Sequence, residues 1–118
     1  MVVEERIRAT LLDRNVAVYW PEHFTSANLG TREEILDALA VLVHAGKLEP
    51  RVQVRSAENH ICWEGSPEAF GRLAPFTCEE CAETIDHPRA HAVVYFRVAP
   101  RWRQAIEAEK KSPLAWAL

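Results

Sequence analysis

The chain has 118 residues, of which 48% are hydrophobic and 26% charged, and its formal net charge is −3. This length suits one domain, or a small domain with an appended module, and the composition excludes a disordered or collagen-like chain. The longest uncharged apolar run, residues 38–43, falls far short of the ~20 residues of a membrane span. The N-terminus lacks the basic start and apolar stretch of a secretory signal, so we expect a cytoplasmic protein.

Basic and acidic residues are nearly balanced, with 14 of the former and 17 of the latter, and the isoelectric point is about 5.9. A strong non-specific binder of nucleic acid usually has a high isoelectric point or a basic patch. Most of the basic residues are arginine, and alanine is abundant, which is typical of bacterial genomes rich in G and C. The charge therefore argues against general DNA binding but leaves room for a local basic surface.

The first third of the chain predicts helices separated by a short strand. Over residues 3–13, apolar residues recur at helical spacing and acidic residues occupy the first turn, so we expect a helix that ends near Asn15. Residues 16–20 are β-prone. A short helix over residues 21–29 would begin with Pro21 in its first turn.

The next helix is marked by its N-terminal residues. Thr31 is followed three positions later by Glu34, which is the spacing of a capping box, and Gly46 supplies a stop. We therefore expect a helix over residues 32–45 with one wide apolar face. That face comprises Ile35, Leu36, Leu39, Leu42 and Val43.

Two alternating segments predict a β-hairpin after this helix. Residues 51–55 and 60–64 alternate polar and apolar side chains, and residues 56–59 form the turn between them. We expect the apolar side chains of the hairpin to cover one edge of the helices. These side chains are Val52, Val54, Ile61 and Trp63.

The order of helix, short strand, short helix, capped helix and hairpin resembles that of a winged helix-turn-helix domain. The resemblance is carried by residues 30–48, a capped helix that ends in Leu-x-x-x-Gly-x-Leu and leads into the hairpin. It covers residues 3–65, so we expect a winged-helix-like domain over residues 1–65. Members of this superfamily commonly place the capped helix in the major groove of DNA.

The outward residues of the capped helix argue against that common activity. They hold two carboxylates and one guanidinium, which is a poor surface for phosphates. Arg32, Arg51 and Arg55 are the candidate nucleic-acid contacts, but Glu58 and Glu64 accompany the two arginines of the hairpin. We therefore expect a non-enzymatic protein-interaction or adaptor protein, with a DNA-binding transcription regulator as the alternative.

Residues 66–118 predict a second, small module of strand and helix, which makes the fold class α+β. Prolines and glycine mark a connector with a short helix over residues 67–73. Residues 91–98 are strongly β-prone, and Pro100 separates them from a terminal helix over residues 101–111.

Cys78 and Cys81 have the Cys-x-x-Cys spacing of a zinc knuckle, in which a tight turn aims two thiolates at one ion. One way to complete four ligands adds His87 and His91. The alternative pair is His60 and Cys62, which share one face of a strand because strand side chains alternate. Plain thiols without metal remain an alternative interpretation. A redox protein is another, although the acidic residues between the cysteines oppose thiolate formation.

The end of the chain is apolar and rich in tryptophan. An exposed apolar tail is unfavourable in water, so it packs back or docks onto another protein or a second copy of the chain. The candidate partner contacts are Trp102, Leu114, Trp116 and Leu118. No nucleophile motif and no glycine-rich phosphate loop is recognisable in the sequence, so we expect no enzymatic activity.

Overall fold

A computed structural model describes residues 2–110 of the chain, and these residues form a mixture of helices and strands. The predicted α+β class is confirmed. The elements in chain order are α1 (Val2–Arg14), β1 (Val18–Tyr19), α2 (Pro21–Thr25), α3 (Arg32–His44), β2 (Leu48–Arg55), β3 (Ile61–Gly65), α4 (Pro67–Gly71), β4 (Phe76–Thr77), β5 (Thr84–Ile85), a 3-10 helix (Pro88–His91), β6 (Ala92–Val98) and α5 (Pro100–Lys110).

The chain divides into two compact units. The first unit takes residues from both ends of the described chain, up to Glu49 and from Phe96 onwards, and the second unit comprises Pro50–Tyr95. This division differs from the predicted boundary between residues 65 and 66. The reason is that α5, which sequence reasoning assigned to the second module, packs against α1 and so belongs to the first unit.

Local signals start and end the helices of the first unit. The Thr31 hydroxyl accepts a hydrogen bond from the Glu34 N–H at 3.2 Å, and the Glu34 carboxylate accepts one from the Thr31 N–H at 3.1 Å. The predicted capping box is therefore present at the start of α3. Asn15 follows α1 with a φ of 57°, and Gly46 follows α3 with a φ of 74°; both are left-handed conformations that end a helix.

The core of the first unit is built from apolar faces of its helices together with strand residues. Each fully buried aliphatic or aromatic side chain stabilises the fold by about 1.5–3 kcal/mol. The buried side chains are Val3, Ile7, Leu11, Tyr19, Phe24, Ile35, Leu39, Leu42, Leu48, Phe96, Val98, Trp102 and Ile106.

Two predictions about these helices need correction. Leu36 was expected on the inner face of α3, but 39% of its surface is exposed. Trp102 was expected as a partner contact, but it is only 7% exposed and lies in the core. Trp102 and Ile106 stand one helical turn apart on α5, so both point inward.

Strand β1 pairs with the C-terminal part of β6 in the first unit. The pairing of β1 with β6 is antiparallel, with Val18 opposite Arg97 and Tyr19 opposite Phe96. The strand that pairs with β1 therefore comes from beyond residue 65, outside the segment that resembles a winged helix. None of the helices within residues 2–110 has the length and apolar composition needed to cross a membrane.

Strands β2 and β3 form the predicted antiparallel hairpin in the second unit, with Val52 opposite Gly65 and Val54 opposite Trp63. Val52 and Val54 are buried as expected. Ile61 was expected to be covered, but 43% of its surface is exposed. A register shift next to Val54 interrupts the regular alternation before Ile61 is reached, which accounts for the difference.

A second, smaller hairpin in the same unit was not predicted in full. Strands β4 and β5 pair antiparallel, with Phe76 opposite Ile85 and Thr77 opposite Thr84. Strands of two residues are too short to show the alternation on which sequence prediction depends. The Cys-x-x-Cys segment forms the loop of this hairpin.

Candidate metal centre

Four potential metal ligands converge in the second unit. His60 immediately precedes β3 and Cys62 lies within it, whereas Cys78 and Cys81 lie in the loop between β4 and β5. Their ligand atoms, one ring nitrogen and three sulfurs, all lie within 4.8 Å of one another. Each of the two hairpins thus contributes two ligands to one site.

The turn of the first hairpin positions His60 and Cys62. The Ser56 N–H donates to the His60 carbonyl at 2.8 Å, and the His60 N–H donates to the Ser56 hydroxyl at 3.1 Å. Asn59 adopts a φ of 67°, which asparagine tolerates better than most residues, and reverses the chain just before the ligands. The His60 and Cys62 side chains lie on the same side of the hairpin, and their ligand atoms are within 4.8 Å of each other.

Backbone hydrogen bonds shape the Cys-x-x-Cys loop of the second hairpin. The Cys78 N–H donates to the Glu83 carbonyl at 2.9 Å, and the Ala82 N–H donates to the Cys78 carbonyl at 2.8 Å. Ala82 takes a left-handed conformation with a φ of 62°. This tight turn folds the loop back on itself, so that the two cysteine sulfurs come close to each other.

The two ligand pairs meet through several contacts. The Sγ atoms of Cys62 and Cys81 are 3.6 Å apart. The Glu83 carboxylate accepts a hydrogen bond at 3.1 Å from the N–H of Ala57, in the turn of the first hairpin. Sequence reasoning did not find this role of Glu83, because a single acidic residue beside a cysteine pair carries no signal of its backbone partner.

The environment lowers the pKa of the Cys78 thiol and raises that of the Cys62 thiol. The backbone N–H of Cys81 and, to a smaller extent, that of Glu80 hydrogen-bond to the Cys78 sulfur and lower the pKa of Cys78 to about 7. Burial, together with the adjacent sulfurs of Cys78 and Cys81, raises the pKa of Cys62 to about 12. A cation bound among the sulfurs would favour the thiolate form of both residues.

His60 carries a buried nitrogen that hydrogen bonding does not explain. About a third of the side chain is exposed, yet its Nε2 atom is buried and has no hydrogen-bond partner among the described residues. The Glu80 Oε2 atom lies 3.0 Å away, but not in hydrogen-bond geometry. Buried polar atoms without a partner are uncommon in native proteins, and an ion is one of the accepted explanations.

The structure selects one of the two predicted ligand sets. Within residues 2–110, neither His87 nor His91 belongs to the group of potential ligands that includes the cysteines, whereas His60 and Cys62 do. After Cys81, the chain pairs back along β4 as strand β5 and then enters the 3-10 helix that ends at His91. The histidines nearest in sequence are therefore not the ones nearest in space.

The three arginines that are candidate nucleic-acid contacts form ion pairs or hydrogen bonds with other side chains of the protein. Arg32 forms an ion pair with Glu22 at 3.0 Å. Arg55 donates to the Gln53 and Asn59 side chains. Burial raises the pKa of Tyr95 while a hydrogen bond with Arg51 acts to lower it, and the Arg51 Nε atom is buried without a hydrogen-bond partner among the described residues.

The surface of α3 instead exposes apolar side chains. Leu36 is 39% exposed and Val41 is 53% exposed, and acidic residues rather than free arginines flank them. Of the other predicted partner contacts, Leu114, Trp116 and Leu118 lie outside the residues that the structure describes.

No protein-family model, no curated protein and no solved structure matches this chain. Function is therefore inferred from the chemistry of the side chains themselves.

Proposed function

We propose that this chain is a non-enzymatic protein-interaction protein in which a structural zinc ion joins the two hairpins of residues 50–95. The ligands are His60, Cys62, Cys78 and Cys81. The observation that carries the zinc centre is the convergence of three sulfurs and one imidazole nitrogen within 4.8 Å. Three cysteines and one histidine are a common ligand set of structural zinc sites.

The distances also fit a single zinc ion. Sulfurs bound tetrahedrally at a Zn–S distance of 2.3 Å stand about 3.8 Å apart. The 3.6 Å between the sulfurs of Cys62 and Cys81 is close to that value. An iron–sulfur cluster divides its cysteine ligands among several metal atoms, so it needs a wider arrangement. Four protein ligands fill the zinc coordination sphere and leave no position for a substrate, which favours a structural role.

Metal analysis tests the zinc centre. We expect the chain, purified in reducing buffer, to contain about one zinc per molecule by mass spectrometry of the metal, without the visible absorption bands of iron. His60→Ala and Cys62→Ser should lose the zinc. His87→Ala and His91→Ala, at the histidines of the other predicted ligand set, are the matched controls and should keep it. Loss of zinc from these controls alone, or a wild-type chain without zinc, would refute the centre.

The protein-interaction role rests on the outward face of α3. Leu36 and Val41 are exposed apolar side chains of α3, and neither contacts a nucleic-acid phosphate favourably. Arg32 at the start of α3 and the two arginines of β2 are held by intramolecular partners. The proposal includes a winged-helix-like arrangement of residues 1–65. The element order α1, β1, α2, α3, β2, β3 supports it. Three free cysteines suit the reducing cytoplasm of a bacterium.

A titration of the zinc-loaded chain with mixed-sequence duplex DNA, followed by fluorescence anisotropy, tests this role against the DNA-binding alternative. We expect no binding at low salt. Binding that weakens steeply with salt would overturn the proposal and favour a transcription regulator. In that case, Arg51→Ala and Arg55→Ala should reduce the affinity.

Analytical ultracentrifugation over a range of protein concentrations tests whether the partner is a second copy of the chain. If the chain self-associates through α3, Val41→Glu should produce a monomer with an unchanged melting temperature, because Val41 is exposed. A matched substitution away from this face, Glu68→Gln on α4, should leave association unchanged. A chain that is monomeric throughout excludes a second copy of the chain as the partner.

The redox alternative is less well supported by the position of the cysteines. A dithiol of the thioredoxin kind stands at the start of a helix, where the helix dipole stabilises one thiolate. Cys78 and Cys81 stand in a hairpin loop between β4 and β5. We therefore assign these residues to metal binding rather than to disulfide exchange with a substrate.

A further inference from the structure

We propose that the zinc centre is also a site of oxidative modification, at which hydrogen peroxide joins Cys62 and Cys81 in a disulfide and releases the zinc ion. This inference rests on the proposed zinc centre and adds to it a reaction that changes the metal content of the protein. It differs from the Cys-x-x-Cys redox hypothesis, which would pair Cys78 with Cys81.

The first argument is the unequal exposure of the three sulfurs. Cys81 is exposed, whereas Cys78 is only 5% exposed and Cys62 is intermediate. Oxidation of cysteine follows both thiolate character and accessibility. Since zinc holds its cysteine ligands as thiolates, accessibility decides which one reacts first. Peroxide therefore reaches the Cys81 sulfur before the other two.

The second argument is the position of the resolving sulfur. The Cys62 Sγ atom lies 3.6 Å from the Cys81 Sγ atom, and a disulfide bond requires approach to about 2.0 Å. The two residues lie on different hairpins, and a cavity of about 310 Å³ opens beside Cys62, lined in part by Trp63 and Phe76. Cys78 also lines this cavity and Cys81 does not, so the cavity gives Cys62 room to move towards the exposed Cys81.

The third argument is the restraint on Cys78. The backbone N–H groups of Cys81 and Glu80 hydrogen-bond to its sulfur, and the turn that supplies them is closed by hydrogen bonds between Cys78, Ala82 and Glu83. Forming a bond from Cys78 to Cys81 would remove the acceptor of these N–H groups. Pairing Cys62 with Cys81 leaves the loop and its hydrogen bonds in place.

The reaction proceeds in two balanced steps. The Cys81 thiolate attacks one peroxide oxygen, the O–O bond breaks, Cys81 becomes a sulfenic acid, and the departing hydroxide is neutralised by a proton from the buffer. The Cys62 thiolate then attacks the Cys81 sulfur, the S–S bond forms, and the S–O bond breaks with loss of a second hydroxide, which is also protonated. Two thiolates lose two electrons in total, and one peroxide accepts them to give two water molecules.

Zinc takes no part in the electron transfer, because it has no accessible second oxidation state. It leaves as Zn²⁺ when two of its four ligands have entered the disulfide, since His60 and Cys78 alone do not complete a structural site. The disulfide then joins β3 to the loop between β4 and β5 in place of the metal. Reduction by a thiol in the presence of zinc restores the original centre.

The experiment uses the full chain loaded with zinc and a small molar excess of hydrogen peroxide. Zinc release is followed with a colorimetric chelator, and the remaining thiols are alkylated before mapping by mass spectrometry without reduction. Cleavage after Glu79 and Glu80 separates Cys78 from Cys81, so the mapping identifies the bonded pair. We expect one zinc released per disulfide formed, a bond between Cys62 and Cys81, and an alkylated Cys78.

A variant and a trapping reagent sharpen the test. When dimedone is present during peroxide treatment of the zinc-loaded wild-type chain, it should label the sulfenic acid at Cys81 and not at Cys78. In Cys78→Ser, the disulfide between Cys62 and Cys81 should still form even though zinc binding is weakened.

Each contrary result has a distinct meaning. A wild-type disulfide between Cys78 and Cys81, or sulfinic acid without a disulfide, overturns the inference. A chain that binds zinc but keeps it and all its thiols in peroxide overturns the inference alone and leaves the zinc centre intact. A chain that binds no zinc overturns the zinc centre and this inference with it.

Discussion

Ala82 occupies a backbone conformation that few L residues adopt, with a φ of 62°. The left-handed region costs an L residue about 1–2 kcal/mol, whereas glycine enters it without a steric clash. In this conformation the Ala82 N–H donates a hydrogen bond to the Cys78 carbonyl at 2.8 Å. The local strain thus helps to form the turn that brings two ligands of the candidate metal centre together.

Replacing Ala82 with glycine should relieve this strain. We expect Ala82→Gly to raise the free energy of unfolding by about 0.5–1 kcal/mol, because the steric gain exceeds the entropy that glycine loses on folding. Ala57→Gly, at an exposed turn position without a positive φ, is the control and should not stabilise the protein. Denaturant unfolding of the zinc-loaded forms measures both changes. A loss of stability in Ala82→Gly would contradict the strain argument.

Glu4 and Lys47 form another interaction at the scale of single residues. The Lys47 ammonium donates a hydrogen bond to the Glu4 carboxylate, which lowers the pKa of Glu4 below its usual value. Because the folded pKa is lowered, the stabilisation is present above the unfolded pKa of about 4.3 and is lost as the pH falls through the folded pKa. The same ammonium lies 5.4 Å from the ring centre of Trp102.

Glu4→Gln should therefore destabilise the protein in a pH-dependent way. At neutral pH we expect a loss of up to about 1 kcal/mol, which is the range for partly exposed ion pairs. Near pH 3 the variant and the wild type should have similar stability, because the Glu4 carboxylate is then largely protonated. Thermal unfolding across this pH range, with Glu5→Gln as an exposed control, provides the measurement. An equal loss at both pH values would exclude the ion pair as the cause.

At the scale of elements, α5 completes the core of the first unit by packing against α1. Trp102 and Ile106 are its buried side chains, and an ion pair between Arg8 and Glu109 joins the same two helices at the surface. Helical periodicity explains why Trp102 and Ile106, which stand one turn apart, share the inner face of α5. It does not indicate that this face packs on a helix about 100 residues earlier in the chain, since periodicity carries no information on the partner element.

The packing of α5 leads to a stability prediction. We expect Ile106→Ala to lower the free energy of unfolding by about 2–4 kcal/mol, because it removes a fully buried side chain and leaves a cavity. Ile61→Ala, in which the lost side chain is 43% exposed, should cost less than half as much. Urea denaturation of both variants makes the comparison. Similar losses would mean that α5 does not contribute to the core as described.

At the scale of the whole molecule, the second unit depends on small hairpins. Its fully buried aliphatic side chains include Val54 and Ile85, and strands of two residues contribute few ladder hydrogen bonds. Small units with little apolar core commonly need a metal or a disulfide to remain folded. The proposed zinc ion supplies such a link between the hairpins.

Removal of the metal should therefore destabilise the second unit more than the first. We expect a chelator to increase hydrogen exchange at the amides of Pro50–Tyr95, above all in β3 and in the loop that holds Cys78, and to lower the melting temperature. The amides of α3 are the internal control and should keep most of their protection. Uniform protection before and after chelation would show that the hairpins are stable without metal.

The sequence by itself determined the local structure of this protein. Thr31 and Glu34 predict the start of α3 because a capping box involves residues three positions apart, and the alternation in residues 51–55 predicts a strand for the same local reason. The short spacing of Cys78 and Cys81 predicts a ligand pair. The winged helix-turn-helix resemblance stays a prediction.

Only the tertiary structure decided which distant residues meet. His60 and Cys62, rather than His87 and His91, lie close to the cysteine pair, because two hairpins bring their loops together. Trp102 lies in a core rather than on a partner surface for a similar reason. Periodicity, capping and short motifs act over a few residues, whereas these contacts depend on how whole elements pack, and a single sequence does not encode that packing in any local pattern.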